Sequence, residues 1–355
     1  MLKKAVALFL VGTSVAVCVS CGKTANHYLY AAIPASSEIL VYREDPNSGA
    51  LTPLSSSPFT AGPTVQSLVI HPSKPFLYAA NSSEDDISQF DIATGGSITE
   101  VIRTPCGGTT PALLAMDPAG NYLYVANAES SNISVFSISS SSGNLAQVGT
   151  PVQIGLTPLN MMLSPKGDFL YVTGSPQGYV AVFSVSGGAL SLVQVVQTGN
   201  NPYGLAIAVE SSGSFLYTAN FTDNSISEFS IDSSSGKLTQ LPGSPIGETF
   251  TSPVFLLVDN SGKYLFVANQ GSGNLAAYTI ASNGGLTLLS SSPFTANAQP
   301  SVIASDPSGQ YLFVGNQKSG STAIESFSLA TSSGSLSEVG SYSVGTTPTS
   351  FAVLP

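Results

Sequence analysis

The sequence predicts an all-β fold, a single seven-bladed β-propeller of four-stranded antiparallel blades, and three observations predict it. An aromatic-Leu-aromatic triplet recurs along the chain: Tyr28-Leu29-Tyr30, Phe76-Leu77-Tyr78, Tyr122-Leu123-Tyr124, Phe169-Leu170-Tyr171, Phe215-Leu216-Tyr217, Tyr264-Leu265-Phe266 and Tyr311-Leu312-Phe313. Successive leucines are 48, 46, 47, 46, 49 and 47 residues apart, close to the blade repeat of propellers. A second aromatic follows each triplet: Tyr42, Phe90, Phe136, Phe183, Phe229, Tyr278 and Phe327. It stands 13 residues after the leucine in six copies and 15 in the seventh. The third observation is phase. The repeats begin with a triplet, at Tyr28, and finish at Ser350-Phe351-Ala352-Val353-Leu354, the segment that precedes a triplet elsewhere.

Each repeat reads as four strands, A to D from the channel outward. Strand A is continuously apolar, as in Ser67-Leu68-Val69-Ile70 and Val254-Phe255-Leu256-Leu257, so both faces are buried. Pro63, Pro111, Pro158, Pro202, Pro253, Pro300 and Pro348 mark where these strands start. Turns such as Asp117-Pro118-Ala119-Gly120 follow, because Pro presets φ and Gly admits positive φ. Strand B is the triplet, often closing on Ala-Asn. Strand C alternates, as in Ile133-Ser134-Val135-Phe136-Ser137-Ile138, and a Gly turn leads to strand D. Seven repeats make 28 strands. The C-terminal strand should complete blade one as its A strand, which leaves no open edge in the ring.

Residues 27–355 therefore form the propeller, residues 22–26 a short linker and residues 1–21 a signal segment. Lys3 and Lys4 precede an apolar run, Ala5 to Val19, that is short for a membrane span. The run ends in Cys18-Val19-Ser20-Cys21-Gly22, which resembles the lipobox of bacterial lipoproteins, with Cys18 where Leu is usual. The resemblance implies export, lipidation of Cys21, and a periplasmic or outer-membrane lipoprotein of the cell envelope. An ordinary cleaved signal peptide is the alternative. The lipid would then be the propeller's one attachment to a membrane.

Composition narrows the partners. Charged residues are 8% of the chain, against roughly a quarter in ordinary domains. Net charge is −10, and ten Lys and Arg are scattered. Nucleic acid is excluded, since phosphate binding needs clustered cations. A monomer is expected.

The units resemble the YVTN repeats of bacterial surface propellers, carried by Leu123-Tyr124-Val125-Ala126-Asn127 and Leu265-Phe266-Val267-Ala268-Asn269. The whole layout, residues 27 to 355, resembles the seven-bladed lactonase family, which includes 6-phosphogluconolactonases and muconate-lactonizing enzymes. Members of that family tend to carry Arg-His after the Gly-Pro that opens a channel strand. Here the motif reads Gly62-Pro63-Thr64-Val65, and the other prolines precede Ala112, Leu159, Tyr203, Val254, Ser301 and Thr349. No catalytic residue of the family carries over onto these positions.

Strand order puts the B–C and D–A loops on one face, where propellers of this kind meet ligands. His27 and His71 fall on the opposite face, which argues against a Ser-His-Asp triad or a His-rich metal site at the mouth. Lys318 is the one lysine expected on the ligand face. Glu38, Glu84, Asp85, Asp86, Glu129, Asp223 and Glu248 share that face, densest at Glu84-Asp85-Asp86. These acids read either as a solvated loop or as ligands for Ca²⁺ at Asp85 and Asp86, since calcium needs converging oxygens. Asn81, Asn127, Asn220, Asn269 and Asn316 end five B strands and either cap turns or contact a ligand. Cys106 reads as an inert thiol rather than a nucleophile.

The reading from these residues is a binding module for a small neutral or cationic ligand, a glycan or a protein partner. The resemblance implies instead a lactone hydrolase or a cycloisomerase-like enzyme. Replacing Cys21 with Ala should move the protein from membranes to the soluble fraction; fractionation like the parent would refute lipidation.

Overall fold

The computed structural model describes residues 27–175, 178–210, 213–247, 249–296, 298–317 and 323–354. Cys21, Glu248 and Lys318 lie outside the described residues. The rest folds as seven antiparallel sheets in a ring, each ordered A–B–C–D.

Closure is as the phase predicts. In blade one, strand A is Ser350–Leu354, at the far end of the chain, and it pairs with strand B, His27–Ile33. Strand C is Glu38–Glu44. Blade two runs in sequence order through Val65–Ile70, Phe76–Asn81, Asp86–Ile92 and Ile98–Pro105. The constant spacing of the aromatic columns is a register. Leu29 faces Tyr42, Leu77 faces Phe90, and the same pairing holds in every blade to Leu312 and Phe327. The two extra residues of blade seven therefore belong to its B–C connection, not to its strands.

The described chain has 32 strands rather than 28, because strand D is broken in four blades. In blade one it is Leu51–Pro53 and then Phe59–Thr60, both paired with strand C. Pro58, Pro151, Pro245 and Pro293 stand in the four breaks and have no N–H to give the ladder. In three of them the preceding serine takes over as acceptor. The backbone N–H groups of Val41, Glu228 and Ala277 donate to the hydroxyls of Ser57, Ser244 and Ser292, at 3.0, 2.8 and 2.8 Å.

The core lies between blades. The triplet leucines and the third triplet aromatics are wholly buried. The first triplet aromatic lies on a positive-φ glycine in the C–D turn of the next blade. Tyr28 covers Gly96, Phe76 Gly143, Tyr122 Gly188, Phe169 Gly236, Phe215 Gly284 and Tyr264 Gly334. Tyr311 of blade seven covers Gly49 of blade one and closes the circle. Four tyrosines add a hydrogen bond to the same turns. Tyr30, Tyr78, Tyr171 and Tyr217 donate to the carbonyls of Gly96, Gly143, Gly236 and Gly284. Burial raises the pKa of Tyr30, Tyr78 and Tyr171, which keeps these donors protonated.

Closure should be essential to stability. Deleting residues 350–355 strips strand A from blade one and uncovers Tyr30 and Leu68. We expect insoluble protein, or a thermal midpoint lowered by more than about 10 °C, at roughly 2–4 °C per kcal/mol. An unchanged midpoint would contradict the closure.

Candidate functional site at the channel mouth

Strand A is where each blade meets the channel, and its first residues are irregular. In six blades the A–B pairing slips by one residue at the start of strand A. The extra residues are Gln66, Ala112, Leu159, Tyr203, Val254 and Ser301. A bulge of this kind turns a side chain out of the alternation of the strand. Blade two shows an offset from the sequence reading. Val65, not Pro63, pairs with Asn81, as Pro111 pairs with Asn127, so its mouth residue is Gln66 rather than Thr64.

Four of these side chains help to line a cavity of about 370 Å³ on the B–C/D–A face. Leu159, Tyr203, Val254, Ser301 and Thr349 line it, with Leu113, Asn160, Phe255 and two B–C loop residues, Phe221 and Gln270. One wall is aromatic: Tyr203 and Phe221 meet edge to face, with ring centroids 5.3 Å apart. The polar groups are held in place by their neighbours. Asn160 Nδ2 donates to the Tyr203 carbonyl at 2.9 Å, and Gln270 Nε2 to Gln317 Oε1 at 3.2 Å. Ser301 Oγ donates to the Gly315 and Pro348 carbonyls, and Thr349 Oγ1 to that of Gln66. No lining side chain is charged at neutral pH. The site offers apolar walls and a few fixed neutral polar groups, the usual make-up of a small-molecule pocket.

The described carboxylates of that face stand in its loops, as expected, and none is among the residues that line the cavity. Each of the densest group has local work. Glu84 pairs with Arg103, which reaches over from strand D and also binds Glu100. Asp85 takes the Thr110 backbone N–H at 2.6 Å, and Asp86 takes Asn81 Nδ2 at 2.6 Å. Desolvation raises the pKa of Asp86, outweighing the Asn81 hydrogen bond and the nearby Arg103 that lower it. Asp223 accepts from the backbone and side chain of Asn200. Asp85 and Asp86 each take part in loop geometry.

The asparagine column is structural in its contacts. Asn81, Asn127, Asn220, Asn269 and Asn316 are wholly buried. Their Nδ2 groups donate across the B–C turn, Asn127 to Asn132 and Ser134, Asn220 to Ser225 and Ser227, Asn269 to Asn274, and Asn316 to Glu325. Gly62, Gly108 and Gly199 of the D–A loops press on Asn81, Asn127 and Asn220 so closely that a Cβ would clash. The amides therefore hold the two loops of the mouth together. None of the five asparagines is among the residues that line the cavity, and Oδ1 of Asn81, Asn127, Asn269 and Asn316 has no hydrogen-bond partner. Cys106 is buried, and its thiol donates to the Gly108 carbonyl at 3.1 Å. Burial pushes its pKa up, which suits an inert thiol.

The model of the family Lactonase, 7-bladed beta-propeller, matches residues 24–159, 151–298 and 256–353. No curated protein matches the chain. Among solved structures, a Bacteroides uniformis protein provisionally named 6-phosphogluconolactonase is similar, with a TM-score of 0.80 and 20% identity over 93% of this chain and 100% of that one. A Lactobacillus plantarum protein gives 0.78 and 22%, over 93% and 99%. The periplasmic gluconolactonase of Pseudomonas aeruginosa gives 0.76 and 19%, over 93% and 99%. At these identities the structures speak for the fold, and the family match, which spans the whole propeller, makes this chain a member of the seven-bladed β-propeller lactonase family.

Proposed function

We propose that the protein is an exported lactonase-family propeller that takes an uncharged lactone at its channel mouth and opens the ring with water. The family supports the lactone. The neutral lining of the cavity carries the choice of an uncharged one. A phosphorylated lactone would give up its hydration shell here and find no guanidinium or ammonium among the described lining residues in return. D-glucono-1,5-lactone suits the site: its ring carbons can lie on Leu159, Val254 and the Tyr203–Phe221 wall, and its hydroxyls face Asn160, Gln270, Ser301 and Thr349. The Pseudomonas gluconolactonase, periplasmic and of the same fold, supports both the substrate class and the compartment. The segment ending at Cys21 supports export with a lipid anchor.

The chemistry asked of the site is modest. Water attacks the lactone carbonyl, the ring C–O bond breaks, and the products are a carboxylate, a hydroxyl and a proton. Fixed neutral donors can hold the carbonyl in place and meet the developing oxyanion. The lining holds no carboxylate or imidazole to take the proton from water. That observation favours a second reading, a module that binds the lactone without turning it over.

The test is a pH-stat assay on purified protein with gluconolactone and 6-phosphogluconolactone, alongside calorimetric binding of gluconate and 6-phosphogluconate. We expect gluconolactone to open faster than its spontaneous rate, and Tyr203→Ala to lower kcat/KM by tenfold or more. Binding without acceleration would support the module. Preference for the phosphorylated compounds would refute the neutral-mouth account.

A further inference from the structure

Far from the mouth, on the A–B/C–D face, the seam between blades seven and one holds an anomalous residue. Glu44 ends strand C of blade one, two residues after Tyr42. The corresponding residues of the other blades, two after the strand C aromatic, are Ile92, Ile138, Val185, Ile231, Ile280 and Leu329. A carboxylate thus stands in a column that is otherwise aliphatic, and at 1% exposure it is more buried than any of them. Neither of its oxygens has a hydrogen-bond partner. An unsatisfied buried carboxylate is costly unless something compensates it.

Two other side chains converge on Glu44. His27 opens strand B of the same blade, and its Nδ1, also without a hydrogen-bond partner, lies 3.3 Å from Glu44 Oε2. Asp306 comes from the A–B turn of blade seven. Its carboxylate is fixed by the backbone N–H groups of Tyr311 and Ser308, at 2.7 and 2.9 Å, and by the Ser308 hydroxyl. One ligating atom from each of the three lies within 4.8 Å of the others. If the imidazole were protonated, one positive charge would still face two buried carboxylates. The third strand of the argument is access: a cavity of about 300 Å³, lined by Arg43, Glu44, Asp45 and Asn47, opens beside the cluster.

We propose that His27, Glu44 and Asp306 bind a divalent transition-metal ion of the zinc type, which clips blade one to blade seven where the ring closes. Imidazole nitrogen and carboxylate oxygen are both ligand types that zinc takes, and three protein ligands leave the fourth position to water. For bonds of about 2.0 Å, tetrahedral ligand atoms stand about 3.3 Å apart, the distance already found between His27 and Glu44. Asp306 needs a small side-chain movement to reach the same spacing. Its backbone hydrogen bonds leave lone pairs free and hold it as an outer shell holds a ligand. The competing account is a proton. Burial, then Asp306 and Asp45, push the Glu44 pKa up to about 8, so a neutral Glu44 could share its proton with His27 instead.

The experiment separates the two. Untagged, chelator-treated protein is titrated with Zn²⁺ at pH 7.5 by calorimetry, with thermal unfolding and elemental analysis in parallel. One zinc per chain is expected, with a midpoint that rises with zinc concentration. His27→Gln and Glu44→Gln should each weaken binding by more than about 100-fold, since even outer-shell partners are worth 10–100-fold. Glu44→Ile restores the residue type of the other blades. It should keep the metal-free midpoint or raise it, while abolishing the response to zinc. His71→Gln should bind as the parent does. No stoichiometric binding, or binding untouched by Glu44→Ile, would overturn the metal and leave the proton.

Discussion

An aromatic ring lying on a glycine without a side chain is the contact on which the rest of this molecule depends. It occurs at each of the seven blade junctions, from Tyr28 on Gly96 round to Tyr311 on Gly49. The geometry explains why both residue types recur at fixed spacing. The turn needs positive φ, which favours glycine, and the ring needs the space that a Cβ would fill. The contact sets how deeply one blade nests in the next. With the leucine and the third aromatic of the triplet behind it, it makes the interblade core continuous. Each such aromatic is worth roughly 1.5–3 kcal/mol on burial. This is how a chain with so few charged residues and one described cysteine, Cys106, which is free, holds a ring of this size.

The same scaffold explains the position and the neutrality of the mouth. Strands B and C are locked by register, so irregularity falls on the outer strand D and, at the channel, on the start of strand A. There the bulges turn Leu159, Tyr203, Val254 and Ser301 toward a common space. The buried asparagines tie the loops above it to the sheets below, through contacts that use up their amide donors. The described carboxylates Glu84, Asp85 and Asp223 of this face stand in its loops, where Arg103, Asn200 and backbone N–H groups engage them. The described lining that results carries no charged side chain, which is the basis for proposing a neutral ring compound over a phosphorylated one.

Much of this was legible in the sequence because repetition makes structure visible. The triplet period gave the blades, the 13-residue offset the B–C register, and the phase of the chain ends the closing strand. What was not legible concerns single blades. The four divided D strands turn on individual prolines, whose effect depends on whether a serine can replace the ladder acceptor. The mouth residues were read from their prolines, and blade two misled because its proline stands two residues before the strand. Face assignment put the acidic loop on the side of the mouth, and its distance from the channel needed coordinates. Asn127, Asn220, Asn269 and Asn316 were legible as turn-closing residues, and their depth of burial needed coordinates. The cavity residues Asn160, Phe221 and Gln270 carried no repeat signal.

The central claim is that the glycine beneath each aromatic is required for the space it leaves and not only for its backbone angle. Gly284 and Gly243 separate the two. Their φ values are +85° and +90°, yet a Cβ on Gly284 would lie 2.3 Å from the Phe215 ring, and one on Gly243 would meet nothing. Urea unfolding of Gly284→Ala and Gly243→Ala measures the difference directly. Both should lose about 1–2 kcal/mol to the left-handed backbone. Gly284→Ala should lose about 1–3 kcal/mol more from the displaced ring. Equal losses in the two variants would contradict the account.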